Sequence, residues 1–287
     1  KEKHPGRASF ISRRARLSGA FCPMLKISKL VKRYGKGEPV LKDLDLEVES
    51  ESIVAIIGAS GAGKSTLLRC INRLVEPTSG RIELNGVELT ALHGRELRSA
   101  RRRIGMIFQG FNLVDRLTVM ENVQSGRLGY LPLWRAVMRR YPKDDVRRAY
   151  ELMERVGIAH YADKRADTLS GGERQRVGVV RALMQNPDIL LADEPTASLD
   201  PKTSTQIMEL LRSLSRELSL PVLINIHNVA EAKAYADRIV GMRYGRIIFD
   251  AEPAALDQRA MDEIYAGVPA EERENSGQVA VMETQPA

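Results

Sequence analysis

Nine consecutive residues constrain this chain more than any other feature: Gly58-Ala59-Ser60-Gly61-Ala62-Gly63-Lys64-Ser65-Thr66. They fit G-x-x-x-x-G-K-[ST], a loop whose glycines let successive backbone N–H groups turn inward around phosphate. Residues 52–57 before it are apolar and rich in β-branched side chains, the pattern of a short buried strand. Residues 65–74 after it place Leu67, Leu68, Ile71 and Leu74 at helical spacing. That helix would aim its positive N-terminus at the same anion. Lys64 is read as the cation for the β- and γ-phosphates and the Ser65 hydroxyl as a Mg²⁺ ligand.

A second element supplies the acid groups. Residues 189–194 form an apolar run ending in Asp193 and Glu194. Asp193 at the strand end is placed to hold Mg²⁺. Glu194, one residue on, can polarise an attacking water as a general base. Further strands are expected over 25–30, 40–48, 103–108 and 222–226. Hairpins are expected around Asn85-Gly86 and Tyr244-Gly245. Helices are expected over 170–185, 201–218 and 229–236, and residues 111–168 read as mainly helical and rich in Arg. Alternating strands and helices imply an α/β fold: a P-loop core with a parallel sheet, an antiparallel β subdomain and a helical subdomain over about 110–185.

A P-loop and an acidic strand do not choose among kinases, GTPases, helicases and transport motors. Leu169-Ser170-Gly171-Gly172-Glu173-Arg174-Gln175 does choose. It resembles, at every position, the signature L-S-G-G-[QE]-x-Q of the ABC (ATP-binding cassette) family. Ser170, Gly171 and Gly172 open a helix and offer N–H groups and a hydroxyl to phosphate. Ser170 with Glu173 also reads as an ordinary capping box, and the two readings are compatible. The resemblance covers nearly all of 25–250 and implies the other family positions in order. Tyr34 would stack on adenine. Gln109 would touch Mg²⁺ and water. Ser198-Leu199-Asp200 would cross a dimer seam, and His227 would sit at the γ-phosphate. It further implies ATP as the nucleotide and a head-to-tail homodimer, each ATP lying between one P-loop and the partner's Ser170–Gly172 segment.

Within the family, 108–114, 117–123 and the Trp-bearing stretch 126–135 look most like the phosphonate-importer ATPases. That likeness implies two separate transmembrane permease subunits, a periplasmic substrate-binding protein and a place on the cytoplasmic face of the bacterial inner membrane. Cassettes for phosphate, methionine or amino-acid import, or for lipoprotein release, are the alternative, followed by a soluble ABC ATPase acting on nucleic acid. Trp134 is also read as a filler of the helical subdomain's core. The groups Arg101–Arg103 and Arg135, Arg139, Arg140, Arg147 and Arg148 are read as solvated faces. Gly110, Gly178 and Asn228 depart from the family's usual residues.

Charge adds little. Of the net +7, five charges lie in residues 1–22, where Lys1, Lys3, Arg7, Arg13, Arg14 and Arg16 face Glu2 alone. The remainder is nearly balanced, which argues against nucleic acid as a partner. The leader lacks an apolar run, so it is no secretory signal, and it only loosely fits a transit peptide. Met24 as the start, or 1–23 as a disordered arm, is the expectation, with 24–267 as the ATPase domain and 268–287 as a flexible tail. Cys22 and Cys70 have no metal or disulfide spacing and fit a reducing compartment. Lys64→Ala is expected to weaken nucleotide binding in a titration. Glu194→Gln is expected to keep ATP binding and trap a closed dimer, and hydrolysis at the native rate by that variant would refute Glu194 as the base.

Overall fold

The computed structural model describes residues 24–267; the readings of 1–23, including Cys22, and of 268–287 lie outside the described residues. The chain opens with β1 (Leu25–Arg33) and β2 (Pro39–Val48), paired antiparallel. Every second residue of β2 near its end, Leu44, Leu46 and Val48, is buried, as a sheet with one packed face requires. The central strand β3 (Ile53–Ile57) is buried along its whole length and runs into α1 (Lys64–Ile71). β4 (Ser79–Leu84) and β5 (Val87–Glu88) form the expected hairpin, with Asn85 and Gly86 both at positive φ. Together β2, β1, β4 and β5 make a four-stranded antiparallel sheet in that order.

The helix α2 (Gly94–Arg101) was not anticipated. It buries no residue, so it has no apolar stripe to reveal it. β6 (Ile104–Ile107) follows, and then a helical stretch with α3 (Val119–Gln124), α4 (Leu133–Val137) and α5 (Lys143–Arg155). Next come α6 (Gly171–Leu183), β7 (Ile189–Asp193), α7 (Pro201–Leu218), β8 (Val222–Asn225) and α8 (Val229–Tyr235). The hairpin of β9 (Arg238–Arg243) and β10 (Arg246–Ala251) precedes a second unanticipated helix, α9 (Gln258–Ile264), capped by Asp257. The larger sheet has the order β10-β9-β3-β8-β7-β6; its neighbours pair parallel except β10 with β9.

Strand β3 divides two cores. Ile53, Ala55 and Ile57 face the helices α3, α5, α6 and α7, whereas Val54 and Ile56 face α1 and the antiparallel sheet. Two further expectations need correction. Trp134 does not fill a core: it is 54% exposed, beside the still more exposed Leu133 and Val137. Some arginines read as solvated are structural, since Arg101 donates to the carbonyls of Asn72 and Arg73, and Arg102 to Gly129 O at 2.8 Å.

The phosphate-loop segment is clasped from two sides. A Cβ at Gly58 would collide with the carbonyl of Met242 in β9, and one at Gly63 would sit 3.0 Å from Val40 O in β2. The Tyr244-Gly245 turn ties these walls together. Gly245 N–H donates to Ala62 O at 3.1 Å, and Gly245 O accepts from Lys42 N–H at 2.8 Å. Gly245 has φ +79°, and a Cβ there would run into Val40 O. Gly245→Ala should therefore cost about 1–3 kcal/mol, read as a lower urea midpoint at unchanged slope; an unmoved midpoint would contradict the clasp.

Candidate active site

The P-loop residues emerge where β3 ends and α1 begins. Gly58, Gly61 and Gly63 have φ of 146°, 76° and 102°, values that side chains with a Cβ rarely adopt. A Cβ at Gly61 would meet nothing, so its need is conformational, while Gly58 and Gly63 are also hemmed in. Ser60 and Gly61 are exposed at the loop tip, Ala59 and Thr66 half-buried, and Ala62 buried. Gly63 caps α1 without a side chain and no acid sits in the first turn, so the helix presents free positive potential. Lys64 is 5% exposed, and its Nζ donates to Gly58 O at 2.7 Å and Ala59 O at 3.0 Å. Burial lowers its pKa, opposed by the charges of Glu194 and Asp193. A cradle of glycine backbone, an uncapped helix start and a buried ammonium fits a polyphosphate.

Three parallel strands, β6, β7 and β8, bring the remaining groups to the same edge, at their carboxyl ends. Asp193 ends β7 buried, and its Oδ1 accepts from Ser65 Oγ at 2.8 Å. The Arg69 guanidinium lies 3.7 Å from Oδ2. Glu194 follows at φ +49°, a left-handed turn that swings its carboxylate back over the strand ends. Its Oε2 accepts from Gln109 Nε2 at 2.8 Å, and its Oε1 lies 2.7 Å from His227 Nε2, which must carry the proton in that pairing. The His227 hydrogen bond foremost, with the Lys64 charge and an Asn225 hydrogen bond behind it, lowers the Glu194 pKa against the effect of burial. Lys64, Ser65, Gln109, Asp193, Glu194 and His227 thus form one connected site. The oxygen-only pair of Ser65 Oγ and Asp193 is the donor chemistry that suits Mg²⁺.

Other expected residues lie elsewhere. Ser170 caps α6 in a reciprocal box, Glu173 N–H reaching Ser170 Oγ at 3.4 Å and Ser170 N–H reaching Glu173 Oε2 at 2.7 Å. A Cβ at Gly171 would sit 3.1 Å from Leu199, and one at Gly172 would collide with Thr203. Asp200 caps α7 through Thr203 N–H at 3.1 Å. Ser170, Gly171, Gly172 and Asp200 are therefore a second cluster, and none of the hydrogen bonds around Lys64 and Glu194 described above reaches them. Tyr34 stands half exposed after β1, with the Lys32 ammonium 4.7 Å from its ring centre.

With this geometry in view, the comparisons with known proteins decide the family. A family model described as ABC transporter matches residues 41–197. The phosphonates import ATP-binding protein PhnC 1 of Ruegeria sp. (strain TM1040) is 77% identical over 257 residues, covering 90% of this chain and 100% of that protein. PhnC 2 of Synechococcus sp. (strain JA-2-3B'a(2-13)) is 58% identical, over 84% and 90% of the two chains. Among solved structures, the dimeric ATP-binding cassette MJ0796 bound to ADP and Pi has TM-score 0.71 at 33% identity, covering 80% of this chain and 99% of its own. The cbiO1 subunit from Clostridium perfringens has TM-score 0.72 at 29% identity, over 88% and 98%. This chain belongs to the ABC transporter family.

One departure from that family's usual residues has a local reason in this cassette. Asn228, after His227, caps α8, its Oδ1 accepting from Ala230 and Glu231 N–H at 2.8 and 3.2 Å. At Gly178 a Cβ would make only an ordinary contact, 3.8 Å from Phe111 O, so nothing in the packing there requires glycine. Gly110 is exposed, with only Asn112 Oδ1 near at 3.9 Å. Sequence reading missed Asn225, a buried amide donating to Asp193, Ser65 and Glu194. Its signal was a lone polar residue in the apolar run 222–226. It also missed Arg181, which donates to Phe111 O at 2.8 Å and to Asn112 O, holding a loop in which both residues have positive φ; nothing local in sequence predicts that pairing.

Glu173 yields a test of the ABC signature helix. Its pKa is lowered by the Tyr161 hydroxyl first and then by the Ser170 N–H and hydroxyl. A lowered folded-state pKa means stabilisation present above the ordinary value of 4.5 and lost as pH falls through the folded value. Glu173→Gln keeps the cap but not the charge. Its urea midpoint should fall less steeply than the native protein's on acidification below that range; parallel curves would contradict the assignment.

Proposed function

We propose that this chain is the ATP-hydrolysing subunit of an importer for phosphonates or related phosphorus oxyanions. The observation that carries this is the 77% identity to a phosphonates import ATP-binding protein over that protein's whole length. Residues 24–267 are the ATPase unit. Among the described residues no helix is long and apolar enough to cross a membrane, in keeping with a pore formed by two separate permease subunits. The chain would work beneath them on the cytoplasmic face, with a periplasmic binding protein delivering cargo.

The roles follow from the geometry. The backbone of 58–66 and the Lys64 ammonium bind the phosphates, while exposed Tyr34 offers a stacking face for adenine. Ser65, Asp193 and Gln109 would hold Mg²⁺, which when bound neutralises phosphate charge. Glu194 orients a water and takes its proton as the water oxygen bonds to the γ-phosphorus and the bond to ADP breaks. His227 holds Glu194 in place and stands exposed where the γ-phosphate would lie. Its charge-assisted bond to Oε1 leaves Oε2 to Gln109, which can release it to water as the Gln109 loop moves.

A second copy completes the site. The start of α6, with Ser170, Gly171 and Gly172, is an anion-binding helix end lying apart from this chain's own P-loop. In a head-to-tail pair it would close over the partner's ATP, with Asp200 at the seam. The MJ0796 cassette was solved as a dimer, which supports this reading.

The test is to reconstitute the chain with its permease and binding protein and to screen the binding protein for ligands. A phosphonate should bind and raise ATPase turnover, and a Lys64→Ala complex should not respond. Stimulation by an amino acid but by no phosphorus oxyanion would overturn the cargo while leaving the ATPase intact.

A further inference from the structure

The geometry points to Asn225 as a positioning residue that locks Asp193 and Glu194 in register, an inference resting on the roles proposed above for those two carboxylates. Strand β8 lies between β3 and β7, and its register sets Asn225 beside Asp193 on one side and Ile56 on the other. Its strand neighbours Val222, Leu223 and Ile224 are apolar and buried, and Asn225 itself is 0% exposed. A primary amide at such a position is unfavourable unless it is hydrogen-bonded. It is bonded within the site: Nδ2 donates to Asp193 Oδ1 at 2.9 Å and lies 3.4 Å from both Ser65 Oγ and Glu194 Oε1. The main chain adds a tie, Glu194 N–H donating to Asn225 O at 3.2 Å.

No other side chain in the hydrogen bonds of the described residues reaches both carboxylates. Ser65 serves Asp193; Gln109 and His227 serve Glu194. The type of residue matters too. Lysine or arginine would cancel charge that a divalent cation needs, aspartate would add repulsion, and an aliphatic side chain would leave the pair free to rotate apart. A neutral two-hydrogen donor holds both and keeps their full charge. Asn225 Oδ1 is buried with no hydrogen-bond partner among the described residues, so it is the Nδ2 arm alone that the site uses. Asn225 therefore links cation holding at Asp193 to water orientation at Glu194 without touching the nucleotide.

The test uses the full chain with Asn225→Ala and Asn225→Asp, and with Glu194→Gln in parallel. Two quantities are read: kcat for ATP, and affinity for a fluorescent ATP analogue with Mg²⁺ and with EDTA. Asn225→Ala should lower kcat about 10- to 100-fold and raise the Mg²⁺ concentration for half-maximal analogue binding by a similar factor, as loss of an outer-shell partner does. Affinity in EDTA should stay within about twofold, a split that general loosening of the fold would not produce. Equal losses with and without Mg²⁺, or kcat and Mg²⁺ requirement both unchanged, would overturn the inference. Should Asn225→Ala fail to fold, Asn225→Asp decides by kcat, because it keeps shape and loses the donor; native turnover there overturns it. Native hydrolysis by Glu194→Gln would instead sink the underlying reading of the site, whereas a dead Glu194→Gln beside a native Asn225→Ala would sink this inference alone.

Discussion

One ammonium at the start of α1 and two carboxylates at the carboxyl end of β7, two parallel strands across from β3, are the interaction on which the site rests. Lys64 is almost wholly buried, and burial alone would favour its neutral form. The charges of Glu194 and Asp193 oppose that and keep the ammonium available for phosphate. The carboxylates in turn depend on neutral donors, Ser65 and Asn225 at Asp193 and Gln109 and Asn225 at Glu194. Removing any one member leaves another buried polar group short of a partner, which is why such sites fail as a unit.

The antiparallel sheet and the β9–β10 hairpin exist, in this light, as walls for a glycine loop. A loop that bends its N–H groups inward cannot carry side chains at Gly58 or Gly63, and it cannot hold its own shape. Val40, Leu41 and Met242 close against those positions, and Gly245 ties the two walls through Ala62 and Lys42. The clasp makes the loop a feature of the tertiary fold rather than a local turn.

The helical stretch is fastened to the edge of the site through α6. Arg181 grips the carbonyls of Phe111 and Asn112, and Arg174 pairs with Asp115, so the loop after Gln109 is bolted to the helix that begins with Ser170. Gln109 meanwhile touches Glu194. That loop therefore lies in contact with both the carboxylate and the signature helix.

Much was legible in the chain because the relevant groups are close in sequence. The P-loop between strand and helix, the Asp193-Glu194 pair, the capped signature and the Asn85-Gly86 hairpin each carry their physics within a few residues. Buried apolar strands announced the parallel sheet for the same reason. What escaped reading had no local signal: α2 buries nothing, α9 fully buries only Ile264, and Trp134 is apolar yet exposed. Asn225 and Arg181 acquire partners 31 to 160 residues away, across strands and helices that only folding juxtaposes. The residues proposed to do chemistry were thus legible in the sequence. The residues that hold them, and the separation of the Ser170 cluster from this chain's own phosphate loop, were decided by tertiary structure, because register and packing set distances between groups that no linear spacing encodes.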